Sequence, residues 1–143
     1  MTLRLKRRDA ERIARHAERE YPEECCGIMV GTSGERKEVV RVLPLESRAE
    51  VSRRTRFSID PQDIVEADRQ AVEDSAEILG FYHSHPDVPP RPSVHDLEQA
   101  WPWYSYLIVG VSNGGQPEFA SWVLREDRSM FDKEEVVLLD GEI

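Results

Sequence analysis

The sequence predicts an α+β fold with a mixed β-sheet flanked by helices. Apolar runs of strand length alternate with stretches whose apolar residues recur at helical spacing. Gly, Pro, Asn and Asp punctuate the boundaries between them. The chain has 143 residues, enough for a real core, and residues 1–143 are read as a single domain.

Leu3 and Leu5 alternate as in a short strand. Ala10, Ile13, Ala14 and Ala17 then recur at helical spacing until Pro22 stops the helix. His16 is placed on the polar side of that helix, at the surface. Cys26 to Val30 reads as a strand, Gly31 to Gly34 as a turn, and Glu38 to Leu43 as a second strand. Asp60 and Pro61 supply the cap and first position of another helix, with Asp63 in its first turn. Ile64, Ala67 and Ala71 form its inner stripe. A strand runs from Glu77 into His83, and prolines 86, 89, 90 and 92 end it in a stiff loop. Ser93 is placed as the N-cap of a short helix with Val94, Leu97, Ala100 and Trp101 as its apolar stripe. Strands are predicted at Tyr104 to Val111 and Phe119 to Leu124, around a turn at Asn113-Gly114-Gly115. Val136 to Leu139 is predicted as a last edge strand.

The net charge of -9 excludes a general nucleic-acid binder. Nothing approaches eighteen consecutive apolar residues, so no membrane span is expected. The basic N-terminus lacks the apolar stretch of a signal peptide. The adjacent Cys25 and Cys26 are poorly placed for an ordinary disulfide. They begin an apolar run and read as buried thiols in a cytoplasmic, reducing setting. No Cys-His-Asn arrangement supports a cysteine nucleophile.

The chemistry concentrates in His83-Ser84-His85, followed by Ser93 and Asp96. On an extended chain, residues i and i+2 share a face, so both imidazoles can reach one ion. Asp96, three residues beyond the cap, lies on the same helix face as Ser93. Ser93 and Asp96 alone make a capping box. In conjunction with the histidines they make a metal site. Two nitrogens and a carboxylate suit zinc better than calcium or magnesium. Three protein ligands plus a water is the usual catalytic arrangement. A carboxylate that does not bind the metal must then carry the water proton.

The spacing His-x-His-x7-Ser-x2-Asp resembles that of the JAMM (MPN+ or JAB) metallopeptidases. These carry a glutamate three residues before a glycine, just after the first helix. Here Glu24 stands three before Gly27, and Glu23 is its neighbour to discount. Tyr106 to Val111 is similar to the strand after the family's motif helix, so the resemblance covers about Leu3 to Leu124, with every catalytic position filled. It implies a cytidine-deaminase-like architecture. It implies zinc on His83, His85 and Asp96, with Glu24 as general base and then acid. Ser93 would donate to the developing oxyanion, its hydroxyl serving one task at a time. His95 matches no motif position and is expected in solvent or beside the ligands.

Family members cleave after the Gly-Gly tail of ubiquitin-like proteins, a tail that can be held by adding a strand to a sheet edge. The short chain resembles compact bacterial members, including those that release cysteine from a ubiquitin-fold sulfur carrier. The implied partner is therefore a ubiquitin-like or sulfur-carrier protein ending in Gly-Gly. Two other readings stand beside this one. A non-catalytic, metal-stabilised interaction module keeps the ligands without the chemistry. A zinc deaminase would need a Pro-Cys-x-x-Cys pair, which this sequence lacks. The basic stretch of Arg48, Arg53, Arg54 and Arg56 suggests steering of an acidic substrate, or a solvated loop. Unchanged catalytic efficiency after their replacement by alanine would remove the steering idea. From Glu126 to Glu142, seven acids against two bases read as a solvated edge. The oligomeric state is not legible.

Overall fold

A computed structural model of the protein describes residues 1–47 and 59–140. The four arginines of the basic stretch lie outside the described residues, as does Glu142. Ten elements follow in order: β1 (Thr2–Lys6), α1 (Arg7–Glu20), β2 (Cys26–Thr32), β3 (Lys37–Leu45), α2 (Pro61–Glu73), β4 (Glu77–Pro86), α3 (Val94–Gln99), β5 (Ser105–Val111), β6 (Glu118–Leu124) and β7 (Phe131–Leu139).

The sheet is mixed and closes on itself in the order β1-β3-β2-β4-β5-β6-β7. β7 is therefore not an edge strand. It runs antiparallel to β6 and also parallel to β1, with Thr2 opposite Glu135 and Lys6 opposite Leu139. β1 in turn meets β3 at Leu3–Lys37 and Arg4–Glu38. Alternation along β7 sends Val136 and Leu138 toward the core, while both backbone edges find partners.

The main core draws on every strand. Leu3, Met29, Val39, Leu79, Leu107, Phe119 and Val136 come from β1 to β7 in turn, and Ala10, Ile13 and Ala17 of α1 pack against them. Each large apolar side chain buried there contributes about 1.5–3 kcal/mol. The opposite face of β2 and β4 carries Ile28, Val30 and Ile78, which meet Ala67 and Ala71 of α2. Asp60 caps α2 by accepting the N–H of Gln62 at 2.9 Å, and Pro61 takes the first position, where no N–H is needed.

Two further expectations fail. His16 is not at the surface: it is buried, three residues beyond Ile13 and so on the same inward face. Its Nδ1 accepts the Tyr82 hydroxyl at 2.7 Å, which satisfies the ring, and burial holds it below the ordinary histidine range. The stripe of α3 is not a core stripe either. Only Ala100 is buried, while Val94 and Trp101 are exposed. The helix has six residues, too few to present a buried face, and is fastened by its cap.

Gly27 has a steric reason. It faces Tyr82 across the β2–β4 ladder, and a Cβ there would lie 2.1 Å from the Tyr82 ring. Only hydrogen leaves room for the tyrosine that reaches His16.

Candidate metal centre

The extended backbone of β4 puts His83 and His85 on one face and Ser84 on the other. Both imidazoles are buried. Their Nε2 atoms approach Asp96 Oδ2 at 3.3 and 3.2 Å. Asp96 is delivered by the capping box of α3: Ser93 Oγ accepts the Asp96 N–H at 3.0 Å, and Asp96 Oδ2 accepts the Ser93 N–H at 2.8 Å. One ligand atom from each of the three residues lies within 4.8 Å of the others.

The arrangement fits zinc. Tetrahedral ligands at bond lengths of roughly 2.0–2.1 Å lie about 3.3 Å apart, the separation found from each imidazole to the carboxylate. His85 Nδ1 donates to the Pro89 carbonyl at 3.2 Å. A carbonyl can only accept, so the neutral ring offers Nε2 as a lone pair toward the cluster.

The loop carrying Pro89 is tied down from three sides. Tyr21 donates its hydroxyl to Asp87 at 2.8 Å, and Asp87 N–H meets the Val111 carbonyl at 2.7 Å. Trp122 Nε1 donates to the Pro90 carbonyl at 3.0 Å. None of these anchors was expected. Their targets are mostly backbone atoms, which residue types do not reveal.

Glu24 is brought to the same place by the residue after it. Ser84 Oγ accepts the Cys25 N–H at 2.8 Å, and Ser84 N–H donates to the Cys25 carbonyl at 3.2 Å. The back of the histidine strand thus holds the segment that ends in Glu24. The Glu24 side chain is buried, and its Oε1 has no hydrogen-bond partner among the described residues. Burial pushes its carboxyl up to about 8, with His85 pulling down and Asp96 pushing up.

Charges within the cluster separate. Burial pushes Asp96 up, but His83, His85 and the Ser93 N–H outweigh it and hold the carboxyl below the usual range. For His83, wholly enclosed, burial wins over Asp96 and lowers the ring. For His85 burial loses to the Asp96 carboxylate, and the ring is raised. Cys25 and Cys26 are free and buried, and burial pushes both thiols up to about 12. They are unsuited to nucleophilic work.

α3 separates two clefts. One, of about 300 Å³, reaches His83 and Asp96 and is walled by Ile64, Phe81, Trp101 and Tyr106, with His95 on its lining. His95 is not one of the three residues whose ligand atoms group together. The other, of about 370 Å³, lies between Ser93, Leu97, Trp122 and Phe131.

Residues 6–125 match the family described as prokaryotic homologs of the JAB domain. A Haloferax volcanii protein named desampylase is 37% identical over 113 residues, covering 76% of each chain. A Thermus thermophilus protein named probable TtuB-protein conjugate cleaving protease is 34% identical over 100 residues, 70% of this chain and 64% of that one. The solution structure of a Desulfitobacterium hafniense protein superposes with a TM-score of 0.86 at 31% identity, covering 97% and 94% of the two chains. A JAB1/MPN domain protein from Archaeoglobus fulgidus shares the fold at a TM-score of 0.57 and 17% identity, covering 96% and 99%.

Proposed function

Because this chain belongs to the prokaryotic homologs of the JAB domain, we propose that it is a zinc-dependent isopeptidase. It hydrolyses the amide bond after the Gly-Gly tail of a ubiquitin-like or sulfur-carrier protein. The relatives named for desampylation and for conjugate cleavage support the reaction class. The observation that carries the reading is a buried carboxylate, Glu24, beside a buried His83–His85–Asp96 group.

Bound zinc would polarise the scissile carbonyl, acidify a water and, as a nearby cation, draw the buried Glu24 carboxyl back to its ionised form. Glu24 takes that water's proton on its carboxylate and returns it to the leaving nitrogen. The C–N bond breaks, giving a tail carboxylate and a free amine. Ser93 donates its O–H to the carbonyl oxygen as negative charge develops. Helix capping does not compete with this. The bond from Asp96 N–H occupies one lone pair of the hydroxyl and leaves its proton available.

The tail lies in the cleft beside His83. Glu24, which interacts electrostatically with both His85 and Asp96, serves the leaving amine. The reading takes residues 1–143 as one catalytic domain of cytidine-deaminase-like architecture. Its free cysteines suit the cytoplasm.

The test is intact-mass detection of cleavage. Zinc-loaded protein is incubated with sulfur carriers extended by cysteine or a peptide after Gly-Gly. Release by the wild type, blocked by chelator and absent in Glu24→Gln, supports the reading. One bound zinc without release favours the interaction-module alternative.

A further inference from the structure

Beside the cleft, Trp101 and Trp103 flank Pro102 and stay 63% and 43% exposed. Neither ring is loose. Trp101 N–H donates to the Tyr106 hydroxyl at 2.9 Å. Arg128 stacks 5.1 Å from the Trp101 ring centre and donates to the Ala100 carbonyl at 2.8 Å. Lys37 Nζ sits 4.3 Å from the Trp103 ring centre, bonds the Trp103 carbonyl, and reaches Ser105 Oγ at 3.0 Å. Trp103 itself has φ +80°, a conformation that disfavours a bulky side chain. Backbone strain and several fixed bonds are thus committed to holding two large apolar rings in water. A packing role would have buried them.

The rings are continuous with the cleft. Trp103 packs edge-on against Tyr104 at 5.4 Å, and Tyr104 lies 5.5 Å from Phe81. Phe81 stacks on Tyr106 at 5.9 Å. Phe81, Tyr106 and Trp101 line the cleft that ends at His83 and Asp96.

The geometry points to a docking platform at Trp101 and Trp103 for the folded body of the Gly-Gly-tailed carrier protein. The tail then follows the Phe81–Tyr106 wall to the metal centre. This rests on the function proposed above and adds where the body of the substrate sits. Exposed tryptophan with arginine is the composition of binding hot spots. The cations over both rings, Lys37 and Arg128, select a partner face that is apolar with an acidic rim.

Trp103→Gly separates the roles. Glycine adopts φ +80° without strain, which offsets the lost contacts of the ring with Lys37 and Tyr104, so the variant should stay folded. Two substrates are compared: a folded ubiquitin-fold carrier whose Gly-Gly end bears a fluorogenic amine, and its isolated hexapeptide tail with the same amine. The ratio of kcat/KM for folded over peptide substrate is expected to fall about tenfold, through KM. Arg128→Glu, at an exposed position, is the second variant and is expected to move the ratio the same way. An unchanged ratio in both folded variants, or a wild type that treats the two substrates alike, overturns the platform. Failure of the wild type to cleave either substrate overturns the functional reading, and this inference with it.

Discussion

Ser84 and Cys25 exchange two hydrogen bonds: the Cys25 amide donates to the Ser84 hydroxyl at 2.8 Å, and the Ser84 amide donates to the Cys25 carbonyl at 3.2 Å. The residue between the two histidines thereby fixes the distance from the ligand strand to Glu24. Ser84→Ala removes the first bond without touching a ligand. We expect zinc stoichiometry to be kept while kcat falls about ten- to a hundredfold, because a small misplacement of the proton carrier suffices. Metal analysis alongside steady-state kinetics checks this. Loss of zinc in the variant would show that the bond supports the ligands instead.

Glu24 connects activity to stability. Its carboxyl is raised from 4.5 to about 8 in the fold, so folding favours the protonated form. In zinc-free protein, the stability tied to this group is whole below pH 4.5 and is lost as pH rises toward 8. Glu24→Gln stays neutral throughout. With chelator present, the variant should melt several degrees above the wild type near pH 8.5, with the gap closing by pH 5. Zinc-loaded, it should lose roughly a hundredfold or more in kcat. Parallel melting curves against pH would refute the buried-carboxylate account.

The indole of Trp122 holds the Pro90 carbonyl, one residue beyond the carbonyl that orients His85. Trp122→Phe keeps an aromatic ring and deletes the donor. Zinc affinity should weaken about tenfold, the scale seen when outer hydrogen-bond partners of a metal ligand are lost. Competition with a chromophoric chelator measures it. An unchanged affinity would mean that Tyr21 and Val111 hold the loop alone.

Gly27→Ala brings a Cβ to 2.1 Å from the Tyr82 ring. Neither the strand nor the tyrosine bonded to His16 can yield cheaply, so a loss of about 1–3 kcal/mol or more is expected. A denaturant titration gives the value directly. A loss below half a kcal/mol would indicate that the β2–β4 pair is pliant.

The centre was legible where local rules decide geometry. Alternation along a strand joined His83 to His85, and a capping box joined Ser93 to Asp96. What escaped was set by contacts distant in sequence. The place of His16 depends on a hydroxyl sixty-six residues away. The pairing of Val136 to Leu139 with β1 joins opposite ends of the chain, which no local pattern encodes. Trp101 fits a helical stripe by spacing, yet α3 is too short to bury one. Side chains that anchor backbone carbonyls, such as Trp122, carry no motif.

The ring of strands has its thinnest seam where β1 meets β3, paired at Leu3–Lys37 and Arg4–Glu38, whereas β1 and β7 pair at five positions. β2 lies between that seam and β4 on one side, and β5, β6 and β7 on the other. Fraying between β1 and β3 can therefore proceed as a local opening while the histidines keep both of their own neighbours. Amide exchange should be fastest at the seam and slowest along β4. Such a molecule can breathe at its back without loosening its grip on the ion at its front.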